Sequence, residues 1–184
     1  MSGLVKNWKK YLNELIDPEE VDVSSFEAKA HLNTDLWENE NLFKPEIADR
    51  LYAIAQDFFK SLGLDWVELK DITLTGSLAN YTWSKYSDVD LHILLNFREI
   101  DENLDLVREY LRDAGSLWNK QHDITIKGWP VEVYVQDYNE PHHSTGVYSI
   151  INDVWIQRPV KTFQKIDYTN IQKKAAVLMQ DIDE

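Results

Sequence analysis

The sequence predicts an α+β domain in which helices pack on a small mixed β-sheet. The spacing of apolar residues changes from a helical period of about 3.6 to a strand period of 2 near Ile72. Helical spacing returns at residues 102–119 and again near the end of the chain, so a block of strands is flanked and interrupted by helices. With 184 residues, of which 43% are hydrophobic, the chain is long enough to bury a core of its own.

The N-terminal residues form a separate predicted segment. Apolar residues at helical spacing predict a short amphipathic helix over residues 4–16, which ends before Pro18. Residues 17–25 are acidic and show no hydrophobic pattern, which is typical of a linker. We therefore expect an N-terminal helix and acidic linker over residues 1–25 and a main domain over residues 26–184.

The main domain divides into helices and strands by its hydrophobic period and its turn residues. Pro45 suits the first turn of a helix and Gly63 suits its C-terminal exit, so a helix is expected between them. The complete prediction consists of helices over residues 45–62, 102–119 and 168–180, and strands over residues 72–75, 89–95, 123–126, 131–135, 147–151 and 154–156.

The composition excludes several classes of function. The chain has 19 Lys and Arg against 32 Asp and Glu, a net charge of −13, which disfavours non-specific binding to duplex nucleic acid or to an anionic membrane. It contains no cysteine, so thiol catalysis and disulfides are excluded. The longest apolar run is a strand's length, and no stretch resembles a signal peptide. We expect a soluble cytoplasmic protein.

Two short motifs near the middle of the chain carry the chemistry. Gly76 and Ser77 follow a predicted strand, and a Gly-Ser turn suits phosphate oxygens because glycine permits close approach and serine donates a hydroxyl. Asp88 and Asp90 open the next strand, where residues two apart project from the same face about 6.6 Å from one another. Paired carboxylates of this kind suit Mg²⁺, which shares its coordination with substrate phosphates.

This combination resembles the signature of the polymerase-beta-like nucleotidyltransferase superfamily, in which Gly-[Gly/Ser] is followed after nine to thirteen residues by Asp-x-[Asp/Glu] within a strand. The chain departs from the pattern at Thr75, where the family has a hydrophobic residue. The resemblance implies the nucleotidyltransferase fold and an enzyme that transfers a nucleoside monophosphate from an NTP such as ATP to a hydroxyl, with release of pyrophosphate. It also implies two Mg²⁺ ions, or Mn²⁺, held by the Asp pair.

The resemblance further implies a third carboxylate on a later strand. Glu132 is the best match, because it lies in a run of β-branched residues whose alternation places it opposite the apolar face. We expect Glu132 to complete the catalytic and metal-binding set with the Asp pair. Asp123 and Asp137, each at a predicted strand end, are the alternatives.

Other polar residues near the motifs are candidates for substrate contact. Lys85 and Ser87, in the loop before the Asp pair, are expected to bind phosphate together with the Gly-Ser turn. His92 shares a strand face with the Asp pair, so it supports either the site or the buried structure. Further candidates, each with an alternative role in packing or on the surface, are Tyr81, Trp83, Tyr86, His142, His143, Arg158 and Lys161.

The acceptor of the nucleotide leaves no motif. The acidic composition favours a small molecule, a nucleotide or a protein over a long nucleic acid. An alternative function is a non-catalytic or antitoxin-like module that uses the same fold to bind a protein partner.

Overall fold

The computed structural model describes residues 27–161 and 167–183, with side chains up to residue 176 in the second range. The described residues divide between two compact units, of which the first includes residues 28–161 and the second includes residues 167–183. The predicted N-terminal helix and acidic linker lie outside the described residues. The expected domain boundary near residue 25 also lies there and stays a prediction.

The described part of the first unit contains two α-helices, and the first and last residues of each agree with the predicted bounds to within two residues. Helix α1 (Pro45–Ser61) has proline in its first turn and buries Ile47, Leu51, Ala55 and Phe58, which follow one another at spacings of three or four. Helix α2 (Leu104–Gln121) is capped by Asn103, whose side chain accepts a hydrogen bond from the Leu106 backbone N–H. The second unit contributes helix α3 (Tyr168–Asp183).

A mixed six-stranded sheet forms the centre of the first unit and confirms the expected α+β class. The strands are β3 (Leu69–Thr75), β4 (Val89–Leu95), β5 (Thr125–Ile126), β6 (Trp129–Asp137), β7 (Val147–Ser149) and β8 (Val154–Gln157). Their order in the sheet is β5-β6-β4-β3-β7-β8, and β4 pairs antiparallel with β3 and parallel with β6. Helix α2 lies between β4 and β6 in the chain and forms part of the crossover connection that a parallel pair requires.

The two faces of the central strands differ in polarity. On β4, Val89, Leu91 and Ile93 are fully buried in a hydrophobic core that also takes side chains from α1 and α2. From the opposite face, β4 projects Asp90, His92 and the apolar Leu94, and its parallel neighbour β6 projects Glu132, Tyr134 and Gln136. This alternation leaves one face for the core and the other for a site.

A small strand pair before α1 was absent from the sequence prediction. Strands β1 (Trp37–Asn39) and β2 (Leu42–Phe43) pair antiparallel and bring Trp37 into an aromatic cluster, where it stacks on Trp155 at 4.6 Å between ring centroids. The indole N–H of Trp37 also donates to the carbonyl of Leu78 at 2.9 Å. The segment before α1 therefore braces the turn that follows β3.

None of the helices in the described part of the chain is long and apolar enough to span a bilayer.

Candidate functional site

The Gly-Ser turn stands at the end of β3, as the sequence predicts. Gly76 has φ +72° and ψ −158°, a backbone conformation that is essentially restricted to glycine, and a 3₁₀ turn (Ser77–Ala79) follows it. A Cβ atom on Gly76 would lie 1.7 Å from Oδ2 of Asp90. Glycine is therefore required here both by the backbone and by the carboxylate that lies against it.

The loop between the two motifs is closed by hydroxyl groups. The Ser77 hydroxyl donates to the Ser87 hydroxyl oxygen at 2.7 Å, and the Ser84 backbone N–H donates to the same oxygen at 2.9 Å. Ser87 is buried and precedes Asp88 directly, so these bonds tie the Gly-Ser turn to the start of the Asp pair. Lys85 lies in the same loop with its ammonium 4.9 Å from the ring centroid of Tyr86.

Asp90 lies at the centre of a carboxylate cluster. In the strand register it stands between Thr75 of β3 and Glu132 of β6. Burial, and after it the negative charges of Asp88 and Glu132, together raise the pKa of Asp90 to about 6. The three predicted acids are thus close enough to interact electrostatically.

The strand register also separates the three candidates for the third carboxylate. Glu132 is the direct partner of Asp90 across the parallel ladder. Asp123 is exposed and precedes β5, while Asp137 pairs with Leu95 at the opposite end of β6. Glu132 is therefore the candidate that shares the position of the Asp pair along the sheet.

Tyr134 and His92 extend the polar face beyond the acids. The Tyr134 hydroxyl donates to Oε2 of Glu132, and burial together with this bond raises the pKa of Tyr134. The Tyr134 ring lies 5.3 Å from the His92 ring, which is hydrogen-bonded through Nδ1 to Oε1 of Gln136 at 3.1 Å. Burial lowers the pKa of His92 by more than the bond to Gln136 raises it, which favours the neutral ring.

The donor chemistry of the cluster fits Mg²⁺. Its ligands are carboxylate oxygens, and a divalent cation would offset both the burial and the neighbouring negative charges that raise the pKa of Asp90. In the described ranges, no group of three or more His, Asp or Glu side chains is arranged to hold an ion by itself. Mg²⁺ commonly takes one or two protein carboxylates and completes its coordination with phosphates and water. Asp88 and Asp90 suit that arrangement.

A groove of about 930 Å³ is lined by neighbours of the carboxylate cluster, although Asp88, Asp90 and Glu132 themselves do not line it. Thr75, His92 and Tyr134 line the end near Asp90, and the loop after β6, with His142 and His143, lines another part. Nδ1 of His142 is buried without a hydrogen-bond partner. The groove can therefore hold a small molecule beside the acids.

Two contacts join that loop to the residues that follow the Gly-Ser turn. The Asn80 side chain donates to the Thr145 hydroxyl at 2.5 Å. A Cβ on Gly146 would lie 2.0 Å from the carbonyl oxygen of Ala79, so only glycine permits this approach. Sequence analysis did not connect these residues, because they lie about 65 positions apart in the chain.

The aromatic residues of the inter-motif loop have different surroundings. The Tyr81 hydroxyl donates to Glu40, and the Trp83 indole N–H donates to the carbonyl of His31 at 2.9 Å, so both hold the segment before α1. Tyr86 is 73% exposed. Arg158 and Lys161, the two candidate cations near the C-terminal end of the first unit, also contact the segment before α1. Arg158 donates to the Asn41 side chain, and Lys161 donates to the Ala30 carbonyl.

The comparison with protein families gives a match over the middle of the chain. Residues 55–152, more than half of the chain, match the model of a family described as nucleotidyltransferase domain. No curated protein matches the chain significantly. Among solved structures, a STING-associated CdnE c-di-GMP synthase from Capnocytophaga granulosa is similar, with 17% identity and a TM-score of 0.26. The match covers 95% of this chain but 58% of that protein, so the chain spans less than two thirds of its length.

Proposed function

This chain belongs to the nucleotidyltransferase domain family, and from that membership we propose a Mg²⁺-dependent enzyme that transfers a nucleoside monophosphate from an NTP to an acceptor hydroxyl. Membership supports nucleotidyl transfer as the general chemistry. The proposal adds the metal, the residues and the leaving group. The observation that supports it best is the register of β4 and β6, which sets Glu132 directly beside Asp90, whose carboxylate lies against Gly76 on its other side.

The bonds that change define what the residues must do. The acceptor oxygen forms a bond to the α-phosphorus, the bond from that phosphorus to the bridging oxygen breaks, and pyrophosphate leaves with the electron pair while the hydroxyl proton is released to solvent. Mg²⁺ bound by Asp88 and Asp90 and shared with Glu132 would neutralise the phosphates and activate the hydroxyl. Manganese has similar oxygen ligands and would substitute.

The protein groups have separate roles in this reaction. Gly76 would allow the phosphates to approach the backbone, and the Ser77 hydroxyl, which donates to Ser87 in this structure, would turn its proton to a phosphate oxygen. Ser87 holds the Ser77 hydroxyl in place, and Lys85 supplies a positive charge in the same loop. ATP is the NTP that we propose as donor.

We place the acceptor in the groove near the carboxylates. Thr75 and Tyr134 line this groove. Thr75 is also the strand partner of Asp90, and the Tyr134 hydroxyl donates to Glu132. Its charged lining favours a neutral or cationic acceptor over a polyanion, since acids outnumber arginines. The arginines are Arg108 and Arg112, and the acids are Asp105, Glu109, Asp137 and Glu140. A small hydroxyl-bearing molecule suits this groove best, and a nucleotide or a protein side chain remains within its volume.

The experiment is transfer of label from α-labelled NTPs, with Mg²⁺ and with neutral, cationic, nucleotide and protein acceptors, followed by pyrophosphate release. We expect Asp90→Ala to reduce transfer by about 10³-fold or more while the protein stays folded. We expect Glu132→Gln to reduce it comparably, whereas Asp123→Asn, which changes an exposed acid outside the cluster, leaves it unchanged.

Full activity in Asp90→Ala would contradict the proposal. Absence of turnover with every NTP and acceptor, together with a tight protein complex, would instead support the non-catalytic or antitoxin-like module.

A further inference from the structure

We propose that Tyr134 is a positioning residue that orients the carboxylate of Glu132 towards the metal-binding Asp pair. This inference rests on the proposed function, because it assigns Glu132 to the metal site. It concerns a residue that touches neither phosphate nor metal and that acts through its neighbour on the same strand.

The contact that carries the proposal lies within β6. Glu132 and Tyr134 are two residues apart on one strand, so both side chains project from the polar face. The Tyr134 hydroxyl donates to Oε2 of Glu132, which leaves Oε1 available to a metal ion. A hydrogen bond to one oxygen of a ligating carboxylate fixes its rotamer and orientation.

Glu132 needs such a partner because of its other neighbours. Asp90 is its direct partner across the parallel ladder, and Asp88 lies two residues earlier in the chain. Both are acids, so their charges repel the Glu132 carboxylate and would turn its flexible side chain away from the Asp pair. A donated hydrogen bond offsets part of that repulsion and holds the carboxylate beside β4.

Tyr134 is itself held in place by the neighbouring strand. His92 is its direct partner across the parallel ladder, and the two rings lie 5.3 Å apart with an interplanar angle of 37°. Oε1 of Gln136 fixes the His92 ring through Nδ1 at 3.1 Å. Gln136 therefore contacts His92, and His92 contacts Tyr134, so both contacts join β6 to β4. The last contact, from Tyr134 to Glu132, lies within β6.

The test measures Mn²⁺ binding to the full chain by calorimetry, in the presence of a non-hydrolysable ATP analogue, alongside pyrophosphate release. The variants are Tyr134→Phe, which keeps the ring, Glu132→Gln, and the double variant. Tyr138→Phe is the matched control, because Tyr138 follows the end of β6 and is 54% exposed. Thermal denaturation of each variant checks that it is folded.

We expect Tyr134→Phe to weaken Mn²⁺ binding by about 10- to 100-fold and to lower kcat similarly, with little change in the KM for NTP. The double variant should be no worse than Glu132→Gln, since the two residues act as one unit. Tyr134→Gln, which restores a donor group, should recover part of the lost affinity.

Mn²⁺ binding by Tyr134→Phe that equals or exceeds that of Tyr138→Phe would overturn the inference, and so would additive losses in the double variant. Asp90→Ala separates this failure from failure of the proposed function. If Asp90→Ala loses Mn²⁺ binding while Tyr134→Phe does not, only the role of Tyr134 is wrong. If Asp90→Ala also binds Mn²⁺ normally, the proposed metal site itself is wrong.

Discussion

The two faces of the β4–β6 strand pair differ in burial and polarity, and they have different roles. On one face, Leu91 and Ile93 of β4 are completely buried with Val133 of β6 in the hydrophobic core. On the other face, the residues between them are half-buried acids, amides and aromatic rings, of which Asp90 and Glu132 are direct partners. The same strands therefore supply both the core and the candidate site.

The hydrophobic core on one face determines the positions of the site residues on the other face. Burial of the apolar face fixes the register, because a slip of one residue would turn every side chain to the wrong face. The register in turn brings Glu132 opposite Asp90, although 42 positions separate them in the chain. Changes on the two faces should consequently have separable effects, on folding stability for one and on transfer for the other.

The largest expected effect is on the core face. Leu91→Ala removes a fully buried side chain next to Asp90, and we expect the free energy of unfolding to fall by about 2–5 kcal/mol. Urea denaturation measures this loss, and transfer per folded molecule should change much less. An unfolding free energy equal to that of the unchanged protein would show that the two faces are not divided in this way.

An intermediate effect is expected at the turn that meets the polar face. Gly76→Ala would place a methyl group against Asp90, so we expect kcat/KM for pyrophosphate release to fall by about 100-fold. Gly63→Ala is a control for backbone strain alone, because Gly63 has φ +64° and a Cβ there would meet no atom within 4 Å. Equal activity in the two variants would contradict the steric role assigned to Gly76.

The smallest effect is electrostatic and concerns Asp90. Its pKa rises from 3.8 to about 6 in the folded protein, so the stability that it contributes is present below pH 3.8 and is lost as the pH rises through 6. Without metal, Asp90→Asn should therefore gain stability over the unchanged protein between pH 4 and pH 7. The expected gain is on the order of 1 kcal/mol, because partial exposure screens the charge.

Chemical denaturation in the presence of a chelator, repeated at several pH values, measures this difference. A difference between Asp90→Asn and the unchanged protein that stays constant from pH 4 to pH 7 would show that Asp90 is not perturbed. Added Mg²⁺ should reverse the order of stability, because only the carboxylate binds the ion.

The sequence alone was sufficient for the elements whose signals are local. Helices α1 and α2 and strand β4 follow from hydrophobic period and terminal residues, which depend on neighbours within about one turn or one pleat. The Gly-Ser and Asp-x-Asp motifs, with their spacing, also lie within one short stretch, and the family match confirms the resemblance they carry. Alternation along β6 placed Glu132 and Tyr134 on one face for the same reason.

Features that depend on pairing between distant segments of the chain became visible in the folded structure. The choice of Glu132 over Asp123 and Asp137 as the neighbour of Asp90 required the register of a parallel pair, which no local period encodes. The short strands before α1 were missed because two or three residues carry too little periodicity, and the aromatic cluster they join stabilises them. The contact between Tyr134 and Glu132 likewise became visible only with side-chain positions, since strand parity specifies a face but not a rotamer.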